Sequence, residues 1–592
     1  MQQISRMVLP NTEYLDFSNL FLNKEESTCL MNDELKEVNV YKFNTWMNLF
    51  AAKKYYYYCD LGSLYLKLEV NGHYILQVTG SNKNAAFDKI DDILINIECN
   101  GNIEIKIPNA EKYEAIFYTI IEDKDKPIHI KSGAWCTDKN KIRDSKLAII
   151  SCTFKRENYV LKNISKFEQF KKENPEIQDK INLFISDNGK TLPESLNSDN
   201  VKIFPNMNAG GAGGFTRGLI EVMNINDGYT RVLFMDDDVE IFPESFYRTL
   251  VLSNYLKDEF KDSIIHGAML DMYRKNIFFE TLACQTKNWV KPIHSSMDIG
   301  QYENILKANR VPVSLFNNKE HRVSSAWWYC SFTIDTFNDK GLPLPVFFRC
   351  DDIEYSWRNY EKHHISINGI CIWHAPFLWR TLSPVNLYLL KRNYNLINML
   401  HYDNFKKKCL KILRNDFKNF SSRYNYVYCE VYLRMMKDIL AGSKSFYKNP
   451  EELFNEIKDY GKNIQYYDCS DEELEYVKNK VTKEKPLRKL IYLLTDKGKF
   501  SPDFLFKQQQ VCLEWFPPRA PFLMVKEVKV YNLLTEKYSI RKYDRAKYNK
   551  LKSEFKYLYK KIDKNYSNIV NSMRTAEKEF HSMNFWKKYL GI

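Results

Sequence analysis

The chain of 592 residues has no CxxC pair, only 20 glycines, and no run approaching the length of uncharged apolar residues that crosses a membrane. Such a span needs about 18 such residues or more, so a helical integral membrane protein is not expected. The first residues, MQQISRMVLPNTEYLDF, lack the apolar core of a signal peptide. The 13 cysteines are odd in number and scattered from Cys29 to Cys512, which argues against a disulfide framework or structural zinc and for a reducing cytoplasm. No RRM or helix-turn-helix signature occurs. What is present is ordinary for a globular protein: 44% hydrophobic, 27% charged and 15% aromatic residues. The length calls for several folding units.

Three textures follow one another. Residues 1–145 carry period-2 segments, among them Tyr55–Tyr58, SLYLKLEVNGHYILQV and ILINIECNGNIEIKI, with Asn71-Gly72 and Asn100-Gly101 as hairpin signals. They predict a β-sandwich or small barrel. Residues 146–385 alternate short apolar strands (LAIISCTF, INLFISD, VKIFP, YTRVLFMD) with helical segments, the βαβ pattern of a mostly parallel sheet. Ligands of such sheets sit at the carboxyl ends of the strands. From 386 to 592 the strands are expected to stop and helical spacing takes over, as in Leu551, Phe555, Leu558, Ile562, Tyr566 and Ile569.

Several groups of residues carry chemistry. Asp236-Asp237-Asp238 ends an apolar strand, and Asp236 and Asp238 lie on one side of an extended segment, where they suit a hard cation or simply a solvated turn. In NMNAGGAGGFTRGL, five glycines fall between Gly210 and Gly218. They make either a ligand loop at a helix start or a tight strand-to-helix turn, and they match neither the P-loop nor the dinucleotide fingerprint. Asp351 and Asp352, after Arg349, fit a general base or a helix N-terminus. Trp327-Trp328 are a sugar platform or core. His374 becomes a ligand only if it meets the three aspartates in space.

Taken in order, LAIISCTFKREN, FISDNG, NxNAGGAGGF, FMDDDVEI, FFETLACQ, AWWYC, FFRCDDIEY and WHAPF resemble an inverting GT-A glycosyltransferase of family 2. More narrowly, the chain resembles bacterial galactofuranosyltransferases related to the mycobacterial arabinogalactan galactofuranosyltransferase. The resemblance implies an α/β GT-A fold, Rossmann-like with a mostly parallel sheet, over 146–385. An N-terminal β-sandwich over 1–145 and a C-terminal helical region over 386–592 flank it. It implies transfer of galactofuranose from UDP-galactofuranose to a polysaccharide or lipid-linked glycan, with Mn²⁺ or Mg²⁺. Asp236, Asp238 and His374 would hold the metal. Thr153, Arg156, Asp187, Asn188, Asn208, Gly210, Gly211, Asp237 and Arg349 would hold the donor. Asp352 would be the base with Asp351 beside it, and Glu280, Trp289, Trp327 and Trp328 would line the sugar and acceptor pocket. Cys350 and Phe377 depart from the family pattern, where bulkier aromatics are expected.

The net charge of +13 is concentrated at the end: residues 537–592 hold 15 Lys or Arg and five Asp or Glu. A basic helical segment with interleaved aromatics suits an anionic lipid surface, which predicts a cytoplasmic protein peripheral to the inner face of the membrane. A solvated helix bundle accounts for the same residues. The alternatives are a family 2 transferase with a rhamnosyl or pyranosyl donor, an inactive scaffold of a polysaccharide assembly complex, and a basic nucleic-acid-binding protein. The last leaves the aspartate and WH motifs unexplained, so no nucleic-acid partner is expected. Homo-oligomerisation is left open.

Overall fold

The computed structural model describes residues 1–31, 34–83, 89–225, 227–286, 290–310, 322–377, 383–478, 506–513 and 520–592, with single positions at 486, 490 and 494. Two compact units emerge. The first comprises Met1–Met207, Gly214–Gly341 and Tyr355–Pro376; the second comprises Asn208–Gly213, Leu342–Glu354 and Phe377–Ile592.

The first unit opens with nine strands: β1 (Gln2–Arg6), β2 (Asn23–Met31), β3 (Glu34–Lys42), β4 (Leu64–Asn71), β5 (His73–Lys83), β6 (Lys89–Asn100), β7 (Ile103–Lys106), β8 (Ala115–Asp123) and β9 (His129–Thr137). They form two antiparallel sheets, ordered β1-β9-β4-β7 and β2-β3-β8-β5-β6. In β4, Leu64, Leu66, Leu68 and Val70 are buried while Lys67, Glu69 and Asn71 are exposed, as the alternation requires. Tyr118 of β8 meets Trp135 of β9 edge-on at 5.6 Å, joining the two sheets. Two expectations need correction. Asn71-Gly72 and Asn100-Gly101 are corners between the sheets rather than hairpin turns, since β4 and β7 pair in one sheet while β5 and β6 pair in the other. Gly72 and Gly101 have φ of +113° and +83°, and the Gly101 amide donates to the Gly72 carbonyl. The tyrosine run is a helix, Ala52–Tyr58. Tyr55 and Tyr58 share a buried face at i, i+3, and Tyr55 stacks on Phe50 at 4.5 Å, so packing overrides β propensity.

The unit continues with β10 (Leu147–Thr153), β11 (Ile181–Asp187), β12 (Val201–Pro205), β13 (Arg231–Asp236), β14 (Val239–Ile241), β15 (Ile264–Asp271), β16 (Ile277–Glu280), β17 (Ala283–Gln285), β18 (Val290–Pro292), β19 (Met297–Asp298), β20 (Val323–Ser324), β21 (Cys330–Thr333) and β22 (His364–His374). All but β17, β18 and β20 join one ten-stranded sheet. It is mixed rather than mostly parallel. Strands β10 to β13 run parallel, as does the β15–β22 pair. The remaining pairings, including β13–β21 and β14–β22, are antiparallel. The N-terminal segment shares a core with this sheet, in which Tyr14, Phe21, Trp46 and Phe117 pack with Phe242, Leu270, Phe278 and Trp373.

The second unit is chiefly helical, with helices Pro384–His401, Lys406–Ser421, Tyr426–Ala441, Pro450–Asp459 and Arg545–Phe580. The strands do not stop at 385, however. β23 (Tyr466–Asp468), β24 (Lys507–Leu513), β25 (Val525–Asn532) and β26 (Lys537–Lys542) form a sheet ordered β23-β26-β25-β24. Val525, Val528 and Val530 of β25 are buried in it. In the long helix Arg545–Phe580, the stripe Leu551, Phe555, Leu558, Ile562, Tyr566 and Ile569 is buried, with Phe555 stacked on Phe417 at 4.2 Å. Among the described residues, no helix is long and apolar enough to cross a membrane.

Candidate active site

Parallel pairing places several predicted side chains together at strand ends in the first unit. Thr153 lies in register with Asp187, and Cys152 with Asp236, so β10, β11 and β13 end side by side. The chain then reverses through Asp237 and Asp238 into β14, whose Val239 pairs with His374 at the end of β22. This one pairing carries His374 across 136 positions of sequence to Asp238, with Nε2 to Oδ1 at 3.1 Å. Ligand atoms of Asp236, Asp238 and His374 lie within 4.8 Å of one another. The Nδ1–H of His374 donates to the Ala375 carbonyl at 2.6 Å, which turns Nε2 toward the carboxylates. Burial alone would lower the His374 pKa, but the hydrogen bond to Asp238 and the charges of Asp238 and Asp236 outweigh it and the net shift is upward. Two carboxylates and one oriented imidazole make a donor set suited to Mg²⁺ or Mn²⁺.

Around this cluster, Arg156 reaches Asp238 at 3.5 Å with about half its side chain exposed. Burial pushes the Asp237 carboxyl up to about 6, opposed by the Thr153 hydroxyl and reinforced by Asp238. Asn163, on the helix Glu157–Glu173, donates to the Asp237 and Val239 carbonyls and braces the aspartate turn. Asp187 is buried and accepts from the amides of Gly189, Thr191 and Leu192, so its carboxylate shapes the loop after β11. Asn188 is held between Cys152 Sγ and the Asn206 amide.

The expected sugar pocket differs. Trp327 and Trp328 are 3% and 1% exposed. Trp327 packs edge-on against Phe215 and Phe234, and Trp328 donates to the Gly267 carbonyl. Neither ring offers an open face, because the sheet core consumes both; the reading as core, left open by the sequence, is the one the structure takes. Glu280 is half-buried at the end of β16, opposite Met269. Trp289 lies outside the described residues.

In the second unit, Asn208 caps the start of the helix Gly210–Ile225 by accepting from the Gly210 amide at 3.3 Å. A Cβ on Gly210, whose φ is +67°, would stand 2.3 Å from the Phe347 carbonyl oxygen. The Ala212 amide donates to that same oxygen at 2.8 Å. Gly211 is half-exposed in the first turn. The glycines therefore serve close backbone approach first. Farther along the helix, within the first unit, Gly214 and Gly218 leave room for Cys152 and Ile150 of β10. Asp351 and Asp352, both half-buried, start the helix Asp351–Arg358. Burial pushes the Asp352 carboxyl up to about 6, against the Ile353 amide and the charge of Arg349. Arg349 is tied through Nε to Asn386 at 3.1 Å. Cys350 is buried and its thiol pKa is driven far up by desolvation and by the two aspartates, so it is an inert packing residue.

A family model described as "Galactofuranosyltransferase 2 N-terminal" matches residues 4–138. Galactofuranosyltransferase GlfT2 of Mycobacterium tuberculosis (strain ATCC 25618 / H37Rv) is 23% identical over 492 residues, covering 76% of this chain and 73% of the relative. Galactofuranosyltransferase GlfT2 of Mycolicibacterium smegmatis (strain ATCC 700084 / mc(2)155) is 23% identical over 434 residues, covering 68% of this chain and 65% of the relative. The chain is related to the galactofuranosyltransferases. That relation makes it an enzyme, a glycosyltransferase.

In this glycosyltransferase, helical spacing in VNLYLLKRNYNLINML predicts the helix Pro384–His401 that the structure shows, but that spacing gives no sign that its polar residues serve the candidate site. Its Asn386, Arg392 and Asn393 reach the loop Val346–Arg349 ahead of the aspartate pair. An Arg-Asn pair within an apolar helical run, NLYLLKRNYNLINML, is the only sequence signal pointing there. Polar residues at core-facing positions require partners, and the structure shows which they found.

Proposed function

We propose that the protein is a metal-dependent inverting galactofuranosyltransferase of GT-A, family 2 type, acting in cell-surface glycan synthesis. It moves galactofuranose from UDP-galactofuranose to a polysaccharide or lipid-linked glycan. The observation that carries this reading is the meeting of Asp236, Asp238 and His374 at adjoining strand ends. Those three residues hold the divalent ion, which supplies Lewis-acid stabilisation of the leaving diphosphate when bound. Arg156, half-exposed, adds a positive charge beside them for the phosphates, and Thr153 and Asn188 face the uridine. Asp352 accepts the proton of the acceptor hydroxyl as that oxygen attacks the anomeric carbon from the face opposite UDP, so configuration inverts. Asp351 orients a hydroxyl next to it. The protein is organised as a β-sandwich (1–145), a catalytic domain (146–385) and a C-terminal region (386–592).

The same reading places the enzyme at an anionic cytoplasmic membrane surface. Since the apolar stripe of Arg545–Phe580 is buried, the attachment is electrostatic, through the exposed Lys550, Lys556, Lys560, Lys561 and Lys564.

Thermal melting with UDP, with and without Mn²⁺, tests the site: a ligand of the native state raises the apparent melting temperature by mass action. The wild type is expected to be stabilised by UDP with Mn²⁺, and Asp236→Ala/Asp238→Ala is not. A folded wild type that responds to neither sinks the donor site. A panel of UDP-galactofuranose, UDP-galactopyranose and a nucleotide-rhamnose donor then decides the sugar.

A further inference from the structure

The loop before Asp351 is held in an unusual backbone form. Phe347, Arg349 and Cys350, none of them glycine, have φ of +76°, +69° and +66°. Side-chain-bearing residues rarely stay in this region unless their surroundings over-determine it. Here the source of that constraint is explicit. Val346 O accepts from Arg392 Nη2 at 3.0 Å and Asn393 Nδ2 at 2.9 Å. Phe348 O and Arg349 O accept from the same Asn393 nitrogen at 3.0 and 2.8 Å. Phe347 O takes the Ala212 amide, and Cys350 O takes the Glu354 amide that begins the next helix. Every carbonyl from 346 to 350 thus has a donor, and three of the five share one carboxamide. Asn393 is fully buried, and its Oδ1 accepts from Arg392 Nε at 2.9 Å, which fixes which end of the amide faces the loop.

We propose that Asn393 is a positioning residue for the transfer reaction, holding the strained Phe347–Cys350 loop and thereby the direction in which Asp352 presents its carboxylate. The inference rests on the reading of Asp352 as the base. The carbonyls of Val346, Phe348 and Arg349 converge on one donor group; without it they turn outward toward water and the aspartates turn with them. Small displacements of a proton acceptor reduce turnover by about 100-fold while leaving substrate affinity nearly intact. A loosened loop also admits water to Asp352 and returns its carboxyl toward an ordinary value.

The test compares Asn393→Leu with Asn398→Leu on the full-length protein. Asn398 is buried on the same helix, and among the described residues its side chain bonds to the Tyr394 carbonyl of that helix rather than to the loop. Asn393→Leu is expected to lower kcat roughly 10- to 100-fold, leave the donor KM within about twofold, and move the acid limb of the kcat–pH profile to lower pH. Asn398→Leu is expected to leave kcat and the acid limb in place. Equal losses in both variants, or an unmoved kcat and limb in Asn393→Leu, overturn the proposal. If Asn393→Leu fails to fold, Asn393→Ser, which keeps one donor, is measured instead, with an intermediate kcat and limb expected and wild-type values overturning the proposal. Retained turnover in Asp352→Asn is a different result: it removes the base and leaves the loop contacts standing.

Discussion

Two carboxyls, Asp237 in the first unit and Asp352 in the second, are each pushed by burial to about 6. For Asp352 the direction has two consequences of opposite sign. A base must be ionised, so kcat is expected to fall as the pH drops through about 6, a higher limb than an ordinary carboxylate at 3.8 would produce. For stability, a folded pKa above the unfolded one means the protonated form favours the fold. That contribution is present below the unfolded value and is lost as the pH rises through about 6. Asp352→Asn is therefore expected to melt a few degrees above the wild type at pH 8, with the gap narrowing toward pH 4, while kcat falls about 10²- to 10⁴-fold. A variant that melts lower at pH 8 and retains turnover contradicts both the burial argument and the assigned role.

The helix Gly210–Ile225 shows why a glycine cluster is not by itself a ligand loop. Its glycines face the Phe347 backbone at one end and the β10 side chains farther along, and two of its first three amides are engaged by Asn208 and Phe347. Gly210→Ala combines a left-handed φ with a 2.3 Å approach to a carbonyl that cannot retreat. It is expected to cost about 1–3 kcal/mol in chemical denaturation. Gly214→Ala meets the Cys152 sulfur at 2.0 Å, and Cys152→Ala in the same chain should restore part of that loss. Additive losses in the double variant would mean that the helix and strand do not touch as described.

Across the whole molecule, basic charge gathers on the outer face of Arg545–Phe580 while its apolar face is spent on the Lys406–Ser421 and Tyr426–Ala441 helices. Replacing Lys550, Lys556, Lys560, Lys561 and Lys564 with Glu is expected to abolish co-sedimentation with phosphatidylglycerol vesicles and leave melting unchanged, since all five are exposed. Wild-type protein that stays in the supernatant at low salt ends the membrane reading. Phe585 and Trp586 near the terminus are not available for insertion. Trp586 is fully buried and donates to the Pro343 carbonyl, and Phe585 packs on Phe580.

Local pattern was sufficient for what depends on neighbours in sequence: the period of β4, the apolar runs of β10, β11 and β13, the buried stripe of the long helix, and the aspartates stationed after strands. It was insufficient wherever partners lie far apart along the chain. Asn71-Gly72 encodes a reversal, but whether the reversal makes a hairpin or a corner depends on which strand each arm pairs with. Trp327-Trp328 encodes apolar area without saying whether a sugar or Phe234 will cover it. The tyrosine run and the strands beyond 385 depart from their local pattern because short segments of mixed propensity take the form their tertiary contacts favour. His374 joins Asp238, and Asn393 the loop before Asp352, only through pairing and packing, because hydrogen bonds across long sequence separations form where the fold brings donor and acceptor within reach.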